Sequence, residues 1–245
     1  MSNAVSDQVA PTSAYPQQYE GPKPIGQQIG VIASCFHLNP DQALEYAEQL
    51  PRLPEYAEGW FAVPTVDALA TSARKPEVRN SVEKHLLAIS LVLGGIAVSQ
   101  GSFRNRETGM LTPEMLRIYP HTQRALDRIA LVQKGDILIV AAQLGIRHRG
   151  CSVSRVRERF LAGNEFCLDA VAVGSILLTH PERLTQGGDL EMDCPGDKVR
   201  SQDTGILSRA PRFSINAGPI EFGTAHITER GPCSGSVTAF LPIAA

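Results

Sequence analysis

Hydrophobic positions in the first half of the chain recur with helical spacing. Asn39-Pro40-Asp41 predicts the start of a short helix that ends near Leu50, because asparagine caps helices well and proline fits the first turn. Two longer helices are predicted over 76–99 and 112–133. The polar, glycine-containing stretch between them is predicted to be an exposed loop.

The middle of the chain contains one continuous apolar run, GDILIVAAQLG at 135–145. Its Ile, Leu and Val residues lie between glycines, which predicts a strand buried on both faces. Helices are predicted to follow over 152–162 and 165–179, with Gly163 ending the first and Asn164 capping the second.

Short runs of alternating hydrophobic and polar residues follow Gly188, and turn residues separate them. One hairpin is predicted between 213–215 and 220–227, with its turn at 216–219. The whole pattern predicts an α+β fold with a helical N-terminal part, a buried central strand and a C-terminal antiparallel sheet.

Residues 1–28 differ from the rest because four prolines lie there among polar side chains. Such a composition buries too little apolar area to offset the entropy of ordering. We therefore expect a disordered tail over 1–28 and a single α+β domain over 29–245. The tail lacks the basic and apolar regions of a signal peptide.

Composition and charge narrow the possible classes of function. The 245 residues are 43% hydrophobic and 20% charged, as in ordinary globular proteins. The net charge of −2 is unlike that of strongly basic nucleic-acid-binding domains, so any site for a polyanion must be local. The most apolar stretch, 86–98, is too short to cross a bilayer, and no membrane association is predicted. Five cysteines without a CxxC pair predict reduced thiols and a cytoplasmic location.

The densest charge lies in GIRHRGCSVSRVRER, residues 145–159, which contains five arginines and one histidine against a single acid. The predicted turn from strand to helix brings Arg147, Arg149 and Arg155 to a helix N-terminus, where cations are unfavourable by about 0.3–1 kcal/mol each. Free backbone N–H groups and forked guanidinium groups together bind phosphate well. The segment therefore predicts an anion site.

The predicted ligand-binding residues are Arg147, His148, Arg149, Gly150, Ser152 and Arg155. Their ligand would carry phosphate, as a nucleotide or a nucleic-acid backbone does. Two alternatives stay open. The protein's own carboxylates, such as Glu165, Asp169 or the acidic strand at 189–193, could neutralise the arginines. The arginines could also pair with acids of a neighbouring subunit, in a structural or assembly protein that forms a homo-oligomer.

Two catalytic motifs overlap this segment, and both are incomplete. Gly145, Gly150 and Ser152 fit the phosphate-loop pattern, but Cys151 occupies the position of its lysine. Cys151 and Arg157 have the spacing of cysteine phosphatases, yet two valines lie in the intervening loop, where glycine is preferred. A cysteine-dependent phosphatase-like enzyme is therefore the less favoured hypothesis, and whether the protein is an enzyme stays open.

The remaining polar clusters favour structural roles. Asp189, Glu191 and Asp193 alternate with apolar residues, which indicates a solvated strand face more than a divalent-cation site. His180 is placed to bond the last carbonyls of the helix before it. His85 has no Cys, Asp or Glu at metal-ligand spacing. Neither a metal nor another cofactor is predicted.

Several phrases resemble a group of bacterial proteins with no assigned activity. They are EGWFAVP at 58–64, GIRHRGCSV at 145–153, GNEF at 163–166, LLTHPERL at 177–184 and DCPGD at 193–197. The likeness extends over roughly residues 40–200. It implies kinship, and it implies neither a substrate nor a catalytic residue.

Overall fold

The computed structural model describes residues 8–75, 78, 80–159, 163–215 and 218–242. It combines helices with antiparallel sheet, which confirms the predicted α+β class. The helices are α1 (Ile25–Phe36), α2 (Asp41–Ala47), α3 (Val66–Ser72), α4 (Ser81–Gln100), α5 (Pro120–Gln133), α6 (Val153–Arg159) and α7 (Ala170–Thr179). The strands are β1 (Gly59–Pro64), β2 (Phe103–Asn105), β3 (Leu116–Ile118), β4 (Ile137–Gln143), β5 (Glu165–Cys167), β6 (Glu191–Asp193), β7 (Asp197–Val199), β8 (Arg209–Ile215), β9 (Ile220–His226), β10 (Ser234–Ser236) and β11 (Thr238–Phe240).

The strands form two sheets. The first sheet has the order β1-β4-β11-β5 and is antiparallel throughout. The second has the order β10-β6-β8-β7-β3, with β9 beside β8 and β2 beside β9. The predicted hairpin is confirmed, because β8 and β9 pair from Arg209–His226 to Ile215–Ile220. Its turn includes residues 216–217, which lie outside the described residues.

The central strand β4 is buried along its whole length, as the apolar run predicts. β1 and β11 flank it within the sheet, and α1, α2 and α5 pack against it. A strand covered in this way has no solvent-facing side, so continuous Ile, Leu and Val residues fit it better than an alternating pattern.

Helix α7 joins the two sheets, since it contacts β1 of the first sheet and β8 of the second as well as α1 and α4. All of its residues are buried, which agrees with the apolar pattern around the whole helix. Asp169 caps its first turn by accepting a hydrogen bond from the N–H of Ala172.

Two predicted helix starts and one predicted loop are wrong. The helix predicted over 112–133 begins at Pro120, and β3 precedes it. The helix predicted over 165–179 begins at Ala170, because Asp169 rather than Asn164 caps it and residues 165–167 pair with β11 as β5. The predicted loop between the first two long helices contains β2, which pairs with β9. In each case sheet pairing overrides a local helix or loop preference.

Residues 8–24 pack against the domain, in contrast to the disorder predicted for 1–28. The N–H of Val9 donates to Gly150, the N–H of Leu190 donates to Ala14, and the N–H of Lys23 donates to the His180 ring. Tyr19 is buried. The packed chain therefore extends at least to residue 8. We call residues 8–24 the N-terminal segment.

Among the described helices, α4 alone is long and apolar enough to cross a bilayer by length and composition. It buries residues along its length, including His85, Ala88, Val92 and Ile96, and it packs on α7. Core helices of globular proteins meet the same criterion.

Candidate functional site

The arginine-rich segment connects β4 to α6 through a 3₁₀ turn, Ile146–His148. Helix α6 spans seven residues. The guanidinium groups of this segment contact different partners, and the first of these partners is a buried carboxylate on β5.

Glu165 is the internal acid that pairs with Arg147. Its Oε2 lies 3.3 Å from Nε of Arg147, and its Oε1 lies 2.7 Å from Nε2 of the buried His148 and accepts a hydrogen bond from Thr238 at 2.6 Å. Burial raises the pKa of Glu165, but the His148 hydrogen bond and the nearby positive charge outweigh it and hold the pKa below its usual range. The guanidinium of Arg147 also stacks on Tyr56, 3.8 Å from the ring centre. Arg147 is therefore paired with an internal carboxylate, which is one of the alternatives that the sequence leaves open.

Two other arginines of the segment have separate partners. Nη1 of Arg155 lies 3.3 Å from a Glu158 oxygen in an exposed pair. Arg157 is buried, and it donates from Nε to the carbonyl of Pro195 at 2.8 Å and from Nη2 to the carbonyl of Asp197. Ser152, the residue before α6, is buried. Its Oγ lies 3.4 Å from the backbone nitrogen of Arg155.

The N-terminal segment covers part of the predicted anion site. The carbonyl of Arg149 accepts a hydrogen bond from Nε2 of Gln8 at 2.7 Å. Gly150 has φ +74°, and a Cβ atom there would lie 2.3 Å from the carbonyl oxygen of Val9. Of the six predicted residues, Arg147 and His148 line one surface depression together with Arg159 and Glu165. Anion binding by this segment stays a prediction.

The Cys151–Arg157 spacing does not produce the geometry of a phosphatase loop in the part of the chain that the structure describes. Cys151 is buried and pairs through its backbone with Gln8. Since the guanidinium of Arg157 donates to backbone carbonyls, it is not directed at an anion beside the thiol.

The acidic strand is covered, in contrast to the solvated face predicted for it. Asp189 and Asp193 are buried, and Arg212 pairs with Asp193 at 2.6 Å and with Glu191 at 3.0 Å. No group of three or more His, Cys, Asp or Glu side chains that could hold a metal occurs among the described residues.

A different part of the molecule contains a partly open cavity of about 280 Å³. It lies where β1 ends, among α3, α4, α5 and the start of α7. We call it the His85 cavity. Its walls are mainly apolar and include Val63, Val66, Ile118, Leu126, Leu138 and Val171. Its polar lining consists of Thr65, Asp67, Ser81, Lys84, His85, Gln123, Asp127 and Asp169.

Two of the polar lining residues, His85 and Asp169, are fully buried and belong to one cluster with Asp197. Nε2 of His85 lies 2.9 Å from Oδ1 of Asp197, and neither side chain is exposed to solvent. The second oxygen of Asp197 accepts a hydrogen bond from the N–H of Ala170, while Asp169 accepts from Ala172. Both carboxylates therefore lie at the N-terminus of α7, the positive end of its dipole.

Gly196 allows these acids to approach each other. A Cβ atom at Gly196 would lie 2.6 Å from the backbone nitrogen of Asp169. The N–H of Gly196 donates to the carbonyl of Leu168, which fixes the loop before β7 against the start of α7. A larger residue would move Asp197 away from His85.

The cluster favours a charged imidazole. Burial of the ring lowers the pKa of His85, but the charge of Asp197, its hydrogen bond and the charge of Asp169 together raise it to about 9. Burial raises the pKa of Asp169, while His85 acts in the opposite direction. Nδ1 of His85 is buried and has no hydrogen-bond partner among the described residues.

The rim of the cavity has its own ion pair. Nζ of Lys84 lies 2.6 Å from Oδ1 of the exposed Asp67, and Gln123 donates to Asp127 at 2.8 Å. The rim cation is therefore already paired, and the floor and rim together contain more acids than bases.

Sequence reasoning missed this site because its members are far apart along the chain. Asp197 follows His85 by 112 residues, so no local spacing joins them. The usable signal was one polar residue, His85, beside the apolar run 86–98. That signal alone indicates a buried histidine, and it does not name the partner.

Comparison of the chain with protein-family models, with curated proteins and with solved structures finds no match. This result is consistent with an uncharacterised family, and it transfers no activity to the His85 cavity.

Proposed function

We propose that the protein binds a small molecule in the His85 cavity. The observation that carries this proposal is a cavity with mainly apolar walls whose lining includes His85, which is fully buried in a pair with Asp197. Small-molecule sites combine apolar walls with a few polar groups, and titratable groups with displaced pKa values concentrate in such sites. The cavity volume lies near the roughly 300 Å³ at which such sites begin, so the ligand is small.

The fold supports this proposal because helices and a strand position the cluster of His85, Asp169 and Asp197. His85 lies on α4, Asp169 caps α7, and Asp197 begins β7. A charge buried only for stability gains little over a well-packed apolar core, since desolvation offsets the attraction. The three ionisable groups beside the cavity therefore favour a role in binding.

A fragment screen with a cavity-filling variant tests the proposal. Ala130 lines the cavity from α5, whereas the next residue, Leu131, is 74% exposed. We expect ligand-observed NMR to give hits that shift cavity methyl groups, and we expect Ala130→Phe to weaken them about tenfold or more by occupying their space. Leu131→Phe is the matched control and should leave binding unchanged. If every hit binds Ala130→Phe as well as the unmodified protein, the proposal is wrong.

Anion binding by the arginine-rich segment is the second candidate. Arg147 and Arg159 line a surface depression together with Asn164 and Glu165, which is the observation in its favour. The Glu165 carboxylate in the same depression opposes an anion. If this candidate is right, changing Arg147 and Arg149 to Ala abolishes binding of phosphorylated ligands, and binding of a nucleic-acid backbone weakens steeply with salt.

A further inference from the structure

We infer that a second site, separate from the His85 cavity, binds the ammonium and carboxylate groups of an α-amino acid. The site is a partly open depression of about 340 Å³ over β8 and β9, which we call the charged groove. It has no described lining residue in common with the His85 cavity. The inference follows from an arginine and a glutamate that bond to the same threonine but not to each other.

The lining of the charged groove restricts its ligand to polar molecules. Among the described residues, the lining consists of three arginines, three glutamates, a serine, a threonine and a glycine. A ligand with a large apolar surface would find no hydrophobic side chain there to pack against. Because the opposite charges are equal in number, the groove as a whole favours neither an anion nor a cation. The ligand therefore carries both charges or none.

Ion pairs within the lining account for two of the three arginines and two of the three glutamates. Arg106 donates from Nε and Nη2 to the two carboxylate oxygens of Glu221, at 2.6 Å and 2.7 Å. Nη1 of Arg212 lies 3.0 Å from a carboxylate oxygen of Glu191. One arginine and one glutamate of the lining remain.

These two residues, Arg209 and Glu107, bond to Thr224. Nε of Arg209 donates to Oγ1 of Thr224 at 2.8 Å, and this hydroxyl donates to Oε1 of Glu107 at 2.9 Å. Nη2 of Arg209 donates to the carbonyl of Thr224. Among the described residues, no carboxylate lies within ion-pair distance of Arg209 and no cation within that distance of Glu107. Nη1 of Arg209 and Oε2 of Glu107 can therefore still donate and accept hydrogen bonds.

A ligand with both charges satisfies this pair best. Arg209 and Glu107 are half-buried and line the groove, so a ligand can reach both. A simple carboxylate would pair with Arg209 but meet the like charge of Glu107, and a simple amine would do the reverse. One carbon separates the two charged groups of an α-amino acid, so a single molecule can meet both residues across Thr224. An uncharged polar ligand would form weaker hydrogen bonds with the same groups.

A neighbouring depression provides room for the side chain of the amino acid. This depression has a volume of about 190 Å³ and shares Glu107, Arg209 and Thr224 with the charged groove. Its other lining residues include Met110 and Leu111. A headgroup held at the shared residues places an aliphatic side chain beside these two residues, so L-leucine is a suitable probe.

Gly223 gives a second, independent indication of a ligand. It lies inside β9, lines the charged groove and has no positive φ. The nearest atom to an added Cβ would be Cβ of Arg106, 4.0 Å away. Neither backbone strain nor packing therefore requires glycine at this position. Glycine weakens the interior of a strand and often marks a place where a ligand approaches the backbone closely.

Three compounds with the same branched body test the headgroup: L-leucine, 4-methylpentanoate and 3-methylbutylamine. Binding is measured by NMR titration of the Met110 and Thr224 methyl groups. We expect L-leucine to bind about tenfold or more tightly than either analogue, because a hydrogen bond to a charged group contributes about that much. Equal or tighter binding of an analogue, or of uncharged glucose, overturns the inference. So does the absence of binding by all the standard L-amino acids.

Two substitutions assign the two charges. Arg209→Gln should lower the affinity for L-leucine to that for 3-methylbutylamine, and Glu107→Gln should lower it to that for 4-methylpentanoate. A merely structural role would instead weaken all three compounds equally in both variants, and that result contradicts the inference. Arg124→Gln, an exposed arginine on α5 outside both depressions, is the matched control and should leave binding unchanged.

Gly223→Val keeps the inference testable if those variants do not fold. Valine suits a strand, so the variant should fold, and its side chain should weaken L-leucine binding about tenfold or more by filling the groove. Unchanged binding by folded Gly223→Val overturns the inference. Ala130→Phe in the His85 cavity should leave L-leucine binding unchanged, so the two proposals fail independently. Loss of L-leucine binding in Ala130→Phe would place the amino acid in the His85 cavity and overturn the second site.

Discussion

Two buried histidines have opposite charge preferences because their partners differ. His85 faces two carboxylates, which raise its pKa to about 9. His180 accepts a hydrogen bond at Nε2 from the N–H of Lys23 and lies near the Ile176 carbonyl at Nδ1, which fits a neutral ring. Burial lowers the pKa of His180 to about 4 despite opposing contributions from Ile176 and Glu182. The prediction that His180 bonds the last carbonyls of its helix is confirmed.

These values predict a stability maximum near pH 6.5. The folded pKa of His85 exceeds the unfolded value of about 6.5, so its contribution is complete below that pH and is lost as pH rises towards 9. The folded pKa of His180 is depressed, so its contribution is complete above about pH 6.5 and is lost as pH falls towards 4.

Denaturant unfolding at pH 5, 6.5 and 8 measures how the free energy of unfolding changes below and above pH 6.5. The free energy of unfolding should be largest at pH 6.5. His85→Gln should flatten the decline between pH 6.5 and 8. NMR titration of the ring provides a direct check, since a His85 pKa near 6.5 in the folded protein contradicts this account.

At the scale of elements, the N-terminal segment is held by a partly buried polar contact as well as by the packing of Tyr15 and Tyr19 on the core. The hydroxyl of Tyr15 donates to a carboxylate oxygen of Glu58 and accepts from the N–H of Ile146 at 3.1 Å. Its ring lies 4.0 Å from the buried guanidinium of Arg183. Composition could not predict this attachment, because it depends on single contacts across 43 or more positions in the chain. The run at 135–145 was predictable since its residues alone determine burial on both faces.

A pair of tyrosine variants tests the attachment. Tyr15→Phe removes the donor to a partly buried carboxylate and should lower the free energy of unfolding by about 1–3 kcal/mol. Tyr19→Phe removes a buried hydroxyl that has no hydrogen-bond partner among the described residues, so it should be neutral or stabilising. Thermal unfolding measures both variants. Equal losses in the two would show that packing, and not the Tyr15 hydroxyl, holds the segment.

For the whole molecule, α7 determines whether the two sheets unfold together. The predicted single domain over 29–245 requires a shared core, and α7 contacts strands of both sheets. Gly174 lies at the crossing of α7 with α4. A Cβ atom there would lie 2.7 Å from a Val92 methyl group and 3.1 Å from the Phe213 ring of β8. Sequence periodicity predicted that α7 is buried, but the side chains it meets come from distant parts of the chain.

Gly174→Ala should therefore destabilise both sheets to the same extent. Overpacking at this crossing should lower the free energy of unfolding by about 1–3 kcal/mol. Gly94→Ala is the matched control in α4, where nothing lies within 4 Å of the added Cβ, and it should stabilise by about 0.5–1 kcal/mol. Native-state hydrogen exchange of β4 and β8 then measures the coupling. Equal losses of protection indicate one cooperative unit, because the opening that exposes either strand breaks the shared helix. Loss confined to β8 would instead mean that the second sheet opens while the first keeps α7.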